Sequence, residues 1–319
     1  MRDGSSGAAF LLLLGAATVL AGCRTTALVA PEPATPVASA PAAPVAVHEP
    51  ELQPVADGPP YVVEDAVPQD DRLNALLWTQ TSAEYRTLAE TTWSAASRAL
   101  ERALADPHWT AALEQTGDSA GLPPAVIVDV DETVLDNSPF EAESLLAGRA
   151  FERESWLAWI ASASAPAVPG ALAFARRADA LGVTIFYVTN RDVGEEDGTR
   201  RNLARLGFPI HEETDTVLLR GERPAYVSDK TSRRAEIARS HRILLLAGDD
   251  LNDFVTGALD RPDRRIAVAR EHAGFWGERW FLLPNPDYGS WERALYENDR
   301  GLSTEEKRRR KRMQLRTIP

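Results

Sequence analysis

Ala125-Val-Ile-Val-Asp-Val-Asp-Glu-Thr-Val-Leu-Asp-Asn-Ser-Pro139 decides how the rest of this chain is read. Val126, Ile127 and Val128 form a short β-branched run without polar interruption, the pattern of a central parallel strand buried on both faces. The run ends in Asp129 and Asp131, and ligands of open α/β sheets bind just beyond such strand ends. Two carboxylates this close repel unless a cation joins them, and a hard divalent ion such as magnesium prefers all-oxygen ligation. A calcium or turn motif is the competing reading, but the segment lacks the further spaced acids and the central glycine that a calcium loop requires.

The pattern recurs downstream. Ile243-Leu-Leu-Leu-Ala-Gly-Asp-Asp-Leu-Asn-Asp-Phe254 is a second apolar strand, closed by Gly248 and followed by Asp249, Asp250 and Asp253. Between the two lies Val183-Thr-Ile-Phe-Tyr-Val-Thr-Asn-Arg191, a strand that ends in a hydroxyl and an amide, and Asp229-Lys230 opens a helical stretch. A nucleophilic carboxylate, a lysine and a hydroxyl together suit a phosphoryl group, whose transfer depends on positioning and charge stabilisation. Spacing alone defines a carboxylate-rich phosphate site.

With those motifs in hand, the sequence resembles the haloacid dehalogenase (HAD) superfamily: DxDxT at 129–133, then Thr189, Lys230, and the acids at 248–253. Within it the wording is close to the class C acid phosphatases, bacterial outer-membrane lipoproteins with 5'-nucleotidase activity. The matching phrases are Asp131-Glu-Thr-Val-Leu-Asp-Asn-Ser-Pro139, Phe186-Tyr-Val-Thr-Asn-Arg191, Asn202-Leu203 with Leu206-Gly-Phe208, Gly248-Asp-Asp-Leu-Asn-Asp-Phe254, and Leu283-Pro-Asn-Pro286 with Tyr288-Gly289. The resemblance runs from about residue 70 to 295.

It implies an α/β fold: a HAD-like, Rossmann-like doubly wound parallel sheet with a helical cap insertion and an N-terminal helix. It also implies roles. Asp129 is the expected nucleophile and Asp131 the expected acid and base; Mg2+ is held by Asp129, the Asp131 backbone carbonyl and Asp249, with Asp253 ordering that shell. Thr189 and Lys230 are expected to hold the phosphoryl oxygens, with Asn190 or Arg191 assisting. The expected activity is magnesium-dependent hydrolysis of phosphomonoesters, 5'-nucleotides foremost, through an aspartyl-phosphate, at acid pH because Asp131 must carry a proton. The alternative is a surface lipoprotein that binds phosphate esters on the same fold without turnover; plant storage proteins resembling this group have lost the nucleophile, whereas Asp129 is kept here.

The N-terminus fits a secreted lipoprotein. Arg2 precedes an apolar run from Ala8 to Leu20, too short to span a bilayer and of a length suited to a secretion signal. Leu20-Ala21-Gly22-Cys23 closes it, and Cys23, the single cysteine, is the expected lipidation site, which excludes an intramolecular disulfide. The expected location is the bacterial cell envelope, lipid-anchored, at the outer membrane. Residues 1–22 then form the signal peptide and 23–69 the lipidated cysteine with an Ala/Pro-rich tether. At ~3.1 Å per residue that tether reaches on the order of 100 Å. The phosphatase domain covers 70–302 with its cap at about 138–165, and 303–319 is a basic C-terminal helix or tail.

Residues 71–105 read as one long helix with Leu73, Leu77, Tyr85, Leu88, Leu100 and Leu104 at helical spacing. Its Trp78, Tyr85 and Trp93 are expected to pack in the core. In the cap, Trp156 and Trp159 lie three residues apart, as a core stripe or as a wall on which a nucleobase stacks; Tyr288 is the candidate opposite wall. His108, His211, His241 and His272 show no metal-ligand spacing. The Lys307–Arg312 run follows an N-cap and acidic first turn, Ser303-Thr-Glu-Glu306, and reads as a solvated helix. A formal charge of −12 argues against a nucleic-acid polymer as partner. A homodimer is left open.

Overall fold

The computed structural model describes residues 71–316 apart from 212, 258 and 259. The signal segment, Cys23 and the tether lie outside the described residues. Among those described, no helix is long and apolar enough to cross a membrane.

Helices α1 (Leu73–Thr81) and α2 (Ala83–Ala105) precede strand β1 (Pro124–Val128). Helices α3 (Ser138–Leu146), α4 (Arg153–Ser162) and α5 (Ala171–Ala180) lead to β2 (Thr184–Asp192), then α6 (Glu196–Leu206) and β3 (Val217–Arg220). Next come α7 (Thr231–Ser240), β4 (Arg242–Gly248), α8 (Pro262–Glu271), β5 (Trp280–Leu282), α9 (Ser290–Ala294) and α10 (Thr304–Met313). The five strands form one sheet in the order β3-β2-β1-β4-β5, every pair parallel. Val128 pairs with Tyr187 on one side and Ala247 on the other, so β1, β2 and β4 end side by side. Chain order reverses direction at β1/β4, where this architecture leaves a crevice for ligand.

Alternate residues of β1 serve opposite faces. Val126 and Val128 pack with Trp93, Leu100, Phe174 and Leu203, whereas Ala125 and Ile127 pack with Ile237, Phe254 and Trp280. Helices therefore cover both faces, which explains the unbroken apolar strands.

The long N-terminal helix expected over 71–105 is two helices. Ser82 adopts an extended conformation (ψ 142°) and its side chain accepts the Tyr85 N–H at 3.0 Å, so it caps α2 and ends α1. The buried stripe of α2 is Tyr85, Ala89, Trp93, Ala96, Leu100 and Ala103, while Leu73, Leu77 and Leu88 are exposed. Alanines permit the close approach of α2 to α5 and β4; of the expected stripe Tyr85 and Leu100 are buried and Leu104 packs against the core, whereas Leu73, Leu77 and Leu88 lie on the outer face. Trp93 and Tyr85 are core residues, and Trp78 meets Tyr85 edge-on with centroids 5.7 Å apart.

Candidate active site

Asp129, Asp131, Asn190, Lys230, Asp249 and Asp253 line one cavity of about 810 Å³, joined by Trp156 of α4 and by Tyr288 before α9. Strand ends and helix starts bring these residues together from across the sequence. Thr189 is the exception: it is fully buried beneath the cavity, and its Oγ1 accepts the Arg191 N–H at 3.1 Å.

Asp129 follows directly from β1, and its N–H is held by the Ala247 carbonyl at 2.9 Å. Lys230, at the start of α7, forms ion pairs with Asp129 Oδ1 and, at 2.6 Å, with Asp253 Oδ1. Burial pushes the Asp129 carboxyl up to about 7; Lys230 works against the rise, and Asp253 and Asp131 add to it. Burial also raises Asp249, with Asp253 and Asp129 contributing, and raises Asp253 against the pull of Lys230. Burial disfavours the Lys230 ammonium, but Asp129 and Asp253 overcome that, leaving its pKa raised.

Burial is the first cause of all three rises, and the neighbouring carboxylates add to it. Carboxylate oxygens of Asp129, Asp249 and Asp253 lie within 4.8 Å of one another, and the cation in ion-pair contact with them is Lys230. Three carboxylates and one ammonium leave a formal −2, and an all-oxygen donor set fits a hard divalent ion. The local chain is built around this cluster. Asp253 Oδ2 accepts the Asp250 N–H at 2.9 Å, and a Cβ at Gly248 would come within 2.1 Å of that oxygen, so only glycine fits there. Asp250 lines the same cavity, but its carboxylate is taken up by the Asn252 N–H at 3.0 Å and the Ser290 N–H and Oγ–H at 2.6 and 2.5 Å.

Arg191, which the motif suggested as a helper for phosphate, lines the cavity and is bonded to Asp131. Its guanidinium donates to Asp131 Oδ1 from Nη2 at 2.7 Å and from Nε at 3.0 Å, and to Thr199 Oγ1 at 2.9 Å. Asn190 likewise spends its amide on structure, donating to the Ser228 carbonyl at 3.0 Å and accepting from Arg233 at 2.8 Å.

Several supporting residues escaped the sequence reading. Asn137 is fully buried; it donates to Asp131 Oδ1 at 2.8 Å and accepts the Trp159 indole N–H at 2.8 Å. Trp159 is thereby a structural anchor of the cap, while Trp156 faces the cavity beside Phe151, with the Arg191 guanidinium 5.6 Å from its ring centre. Glu132 adopts a left-handed conformation (φ 54°), which places its buried carboxylate on the Asn137 amide and the Tyr288 hydroxyl. Burial raises that carboxyl well above its ordinary value, with Asp131 and Asp249 adding to the rise. Asn285 donates to Asp249 Oδ2 at 2.8 Å. Asn137 within Asp131–Pro139 and Asn285 as the centre of Pro284-Asn-Pro286 stood in the matching phrases, which was the signal available for them.

The family model for HAD superfamily, subfamily IIIB (Acid phosphatase) matches residues 65–291, and the chain belongs to this family. Two solved structures of the class C acid phosphatase from Bacillus anthracis, the second with tungstate bound, match with TM-scores of 0.69 and 0.68. Each is 32% identical and covers 78% of this chain and 98% of its own. Acid phosphatase 1 of Solanum lycopersicum is 26% identical over 166 residues, and the stem 31 kDa glycoprotein of Glycine max is 27% identical over 166 residues. Each plant match covers 51% of this chain, and the chain spans 57% and 58% of the two plant proteins.

Proposed function

We propose that this protein is an acid phosphatase that hydrolyses phosphomonoesters, 5'-nucleotides foremost, through an aspartyl-phosphate on Asp129. One observation carries the reading: Asp129 lies at the end of β1 in contact with Lys230, within a cluster of carboxylates that calls for a divalent cation. The tungstate in the Bacillus anthracis relative, an oxyanion shaped like phosphate, supports a phosphoryl group as ligand.

Asp129 attacks phosphorus in line, and the P–O bond to the alcohol breaks as the new bond forms. Asp131 gives its proton to the departing oxygen, then takes one from the water that cleaves the acyl phosphate, regenerating the Asp129 carboxylate. Arg191 and Asn137 fix the Asp131 carboxylate for both transfers. Lys230 offsets the phosphoryl charge. The residues that would hold Mg2+ are Asp129, Asp249 and Asp253, with the Asp131 carbonyl; a bound cation there would polarise the phosphoryl oxygens.

Trp156 and Tyr288 line the same cavity and support a base-stacking clamp tolerant of several bases. Leu20-Ala-Gly-Cys23 supports a lipid anchor and an envelope location for this activity.

Phosphate release from 5'- and 3'-nucleotides, sugar phosphates and p-nitrophenyl phosphate, with magnesium and with EDTA, tests the reading. Magnesium-dependent release that favours 5'-nucleotides is expected. Equal release from all esters removes the clamp, and no release from any of them removes the phosphatase.

A further inference from the structure

The basic run near the C-terminus does not face solvent all round. Thr304, Lys307, Arg308 and Lys311 of α10 line the active-site cavity, and their spacing of three, four and seven residues puts them on one helical face. Arg293 of α9 lines the same wall. The lining is mixed in charge: Glu292, Asp71 and Asp287 share this side with the cations of α9 and α10.

Those cations are not equally compensated. Arg308 Nε meets Asp71 Oδ1 at 3.1 Å, and Lys311 Nζ meets Glu292 Oε1 at 2.6 Å. Among the described residues, neither Lys307 nor Arg293 forms an ion pair; Lys307 Nζ lies 5.6 Å from the centre of the Tyr296 ring. Both are half-buried. Of the cations of α9 and α10 that line the cavity, these two are the ones without an ion-pair partner among the described residues.

The wall is also tied to the segments that follow β1 and β4. Ser290 opens α9 and is fixed to Asp250 by its N–H at 2.6 Å and its hydroxyl at 2.5 Å. Arg293 follows one turn later. Tyr288, just before α9, is tied through its hydroxyl to Glu132.

We propose that Lys307 and Arg293 form a second anion subsite, which binds an additional phosphate of a substrate whose first phosphate lies at Asp129. The inference rests on the phosphatase reading for the position of the first phosphate, but the subsite itself is a binding claim. The preferred substrates are then small bisphosphorylated esters, with nucleoside bisphosphates bound ahead of nucleoside monophosphates. A cavity of about 810 Å³ has room for both groups; small-ligand sites span roughly 300–1,000 Å³.

The test is calorimetric binding of adenosine 3',5'-bisphosphate and 5'-AMP to the Asp129→Asn protein with magnesium, in which turnover does not intervene. The bisphosphate is expected to bind more tightly. The double variant carrying Lys307→Ala and Arg293→Ala on that background should lower the preference by roughly tenfold, and added salt should lower it too, as for partly solvated unit charges. Lys307→Arg should retain it. Equal affinities for the two ligands, or a preference unchanged in the double variant, overturn the subsite. Absence of phosphate release by the wild-type protein from either nucleotide instead overturns the phosphatase reading, and the binding comparison still decides the subsite.

Discussion

Arg191 grips Asp131 from two nitrogens, Nη2 at 2.7 Å and Nε at 3.0 Å from Oδ1, and its own side chain is only 2% exposed. In the proposed mechanism Asp131 delivers a proton to the leaving oxygen and then accepts one from water, which requires a fixed place. Arg191 and Asn137 both donate to Asp131 Oδ1 and hold it in place.

Replacing Arg191 by Met should lower kcat by roughly 100-fold, within the range for a lost or misplaced acid–base group. The loss should be smaller for p-nitrophenyl phosphate than for 5'-AMP, because a good leaving group needs less protonation. Steady-state kinetics on the two substrates check this, and equal losses on both would assign Arg191 a purely structural role.

Asn137→Ala removes a donor to Asp131 and strands the Trp159 indole N–H. Unsatisfied buried polar groups cost about 1–3 kcal/mol each, so a loss of roughly 3 kcal/mol in stability is expected. Urea denaturation measures it, and an unchanged midpoint would contradict the network described here.

The strand ends were legible for a physical reason. β1 and β4 are covered on both faces, so each reads as a continuous apolar run, and the carboxylates appear where that run stops. β5, three residues long, has no period to detect. The break at Ser82 was missed because a serine within an apolar-periodic stretch also fits a helix interior; its capping role depends on ψ. The partner of Arg191 could not be read, since Asp131 lies 60 positions away and a local motif carries no such pairing. The same limit hid the face of α10, whose charges looked uniformly solvated in one dimension.

Metal-free protein should lose stability as pH rises through the window from 3.8 to about 7. The Asp129 carboxyl is raised in the folded state, so the folded chain binds the extra proton there, and stability falls as that proton leaves. A bound divalent ion competes with the same proton, so the stabilisation by magnesium should grow across this window. Thermal melts at several pH values with magnesium and with EDTA test both slopes; a magnesium effect that shrinks as pH rises would contradict the cluster's assignment.

Trp156→Ala should reduce kcat/KM for 5'-nucleotides by roughly tenfold, since one base–aromatic stack contributes about 1–3 kcal/mol. Sugar phosphates should lose less. Competitive kinetics with 5'-AMP and ribose 5-phosphate separate the two, and an equal fall on both would place Trp156 in cap packing against Phe140, whose ring centre is 5.2 Å away.

The most direct measurement is phosphate release by the wild-type protein and by Asp129→Asn, side by side, with magnesium. The change keeps size and hydrogen-bonding shape while removing the attacking carboxylate. A drop of roughly 10⁴-fold or more is predicted, on the scale of losing a catalytic nucleophile. Hydrolysis that persists in the variant near the wild-type rate would contradict the assignment of Asp129 and with it the proposed chemistry of the site.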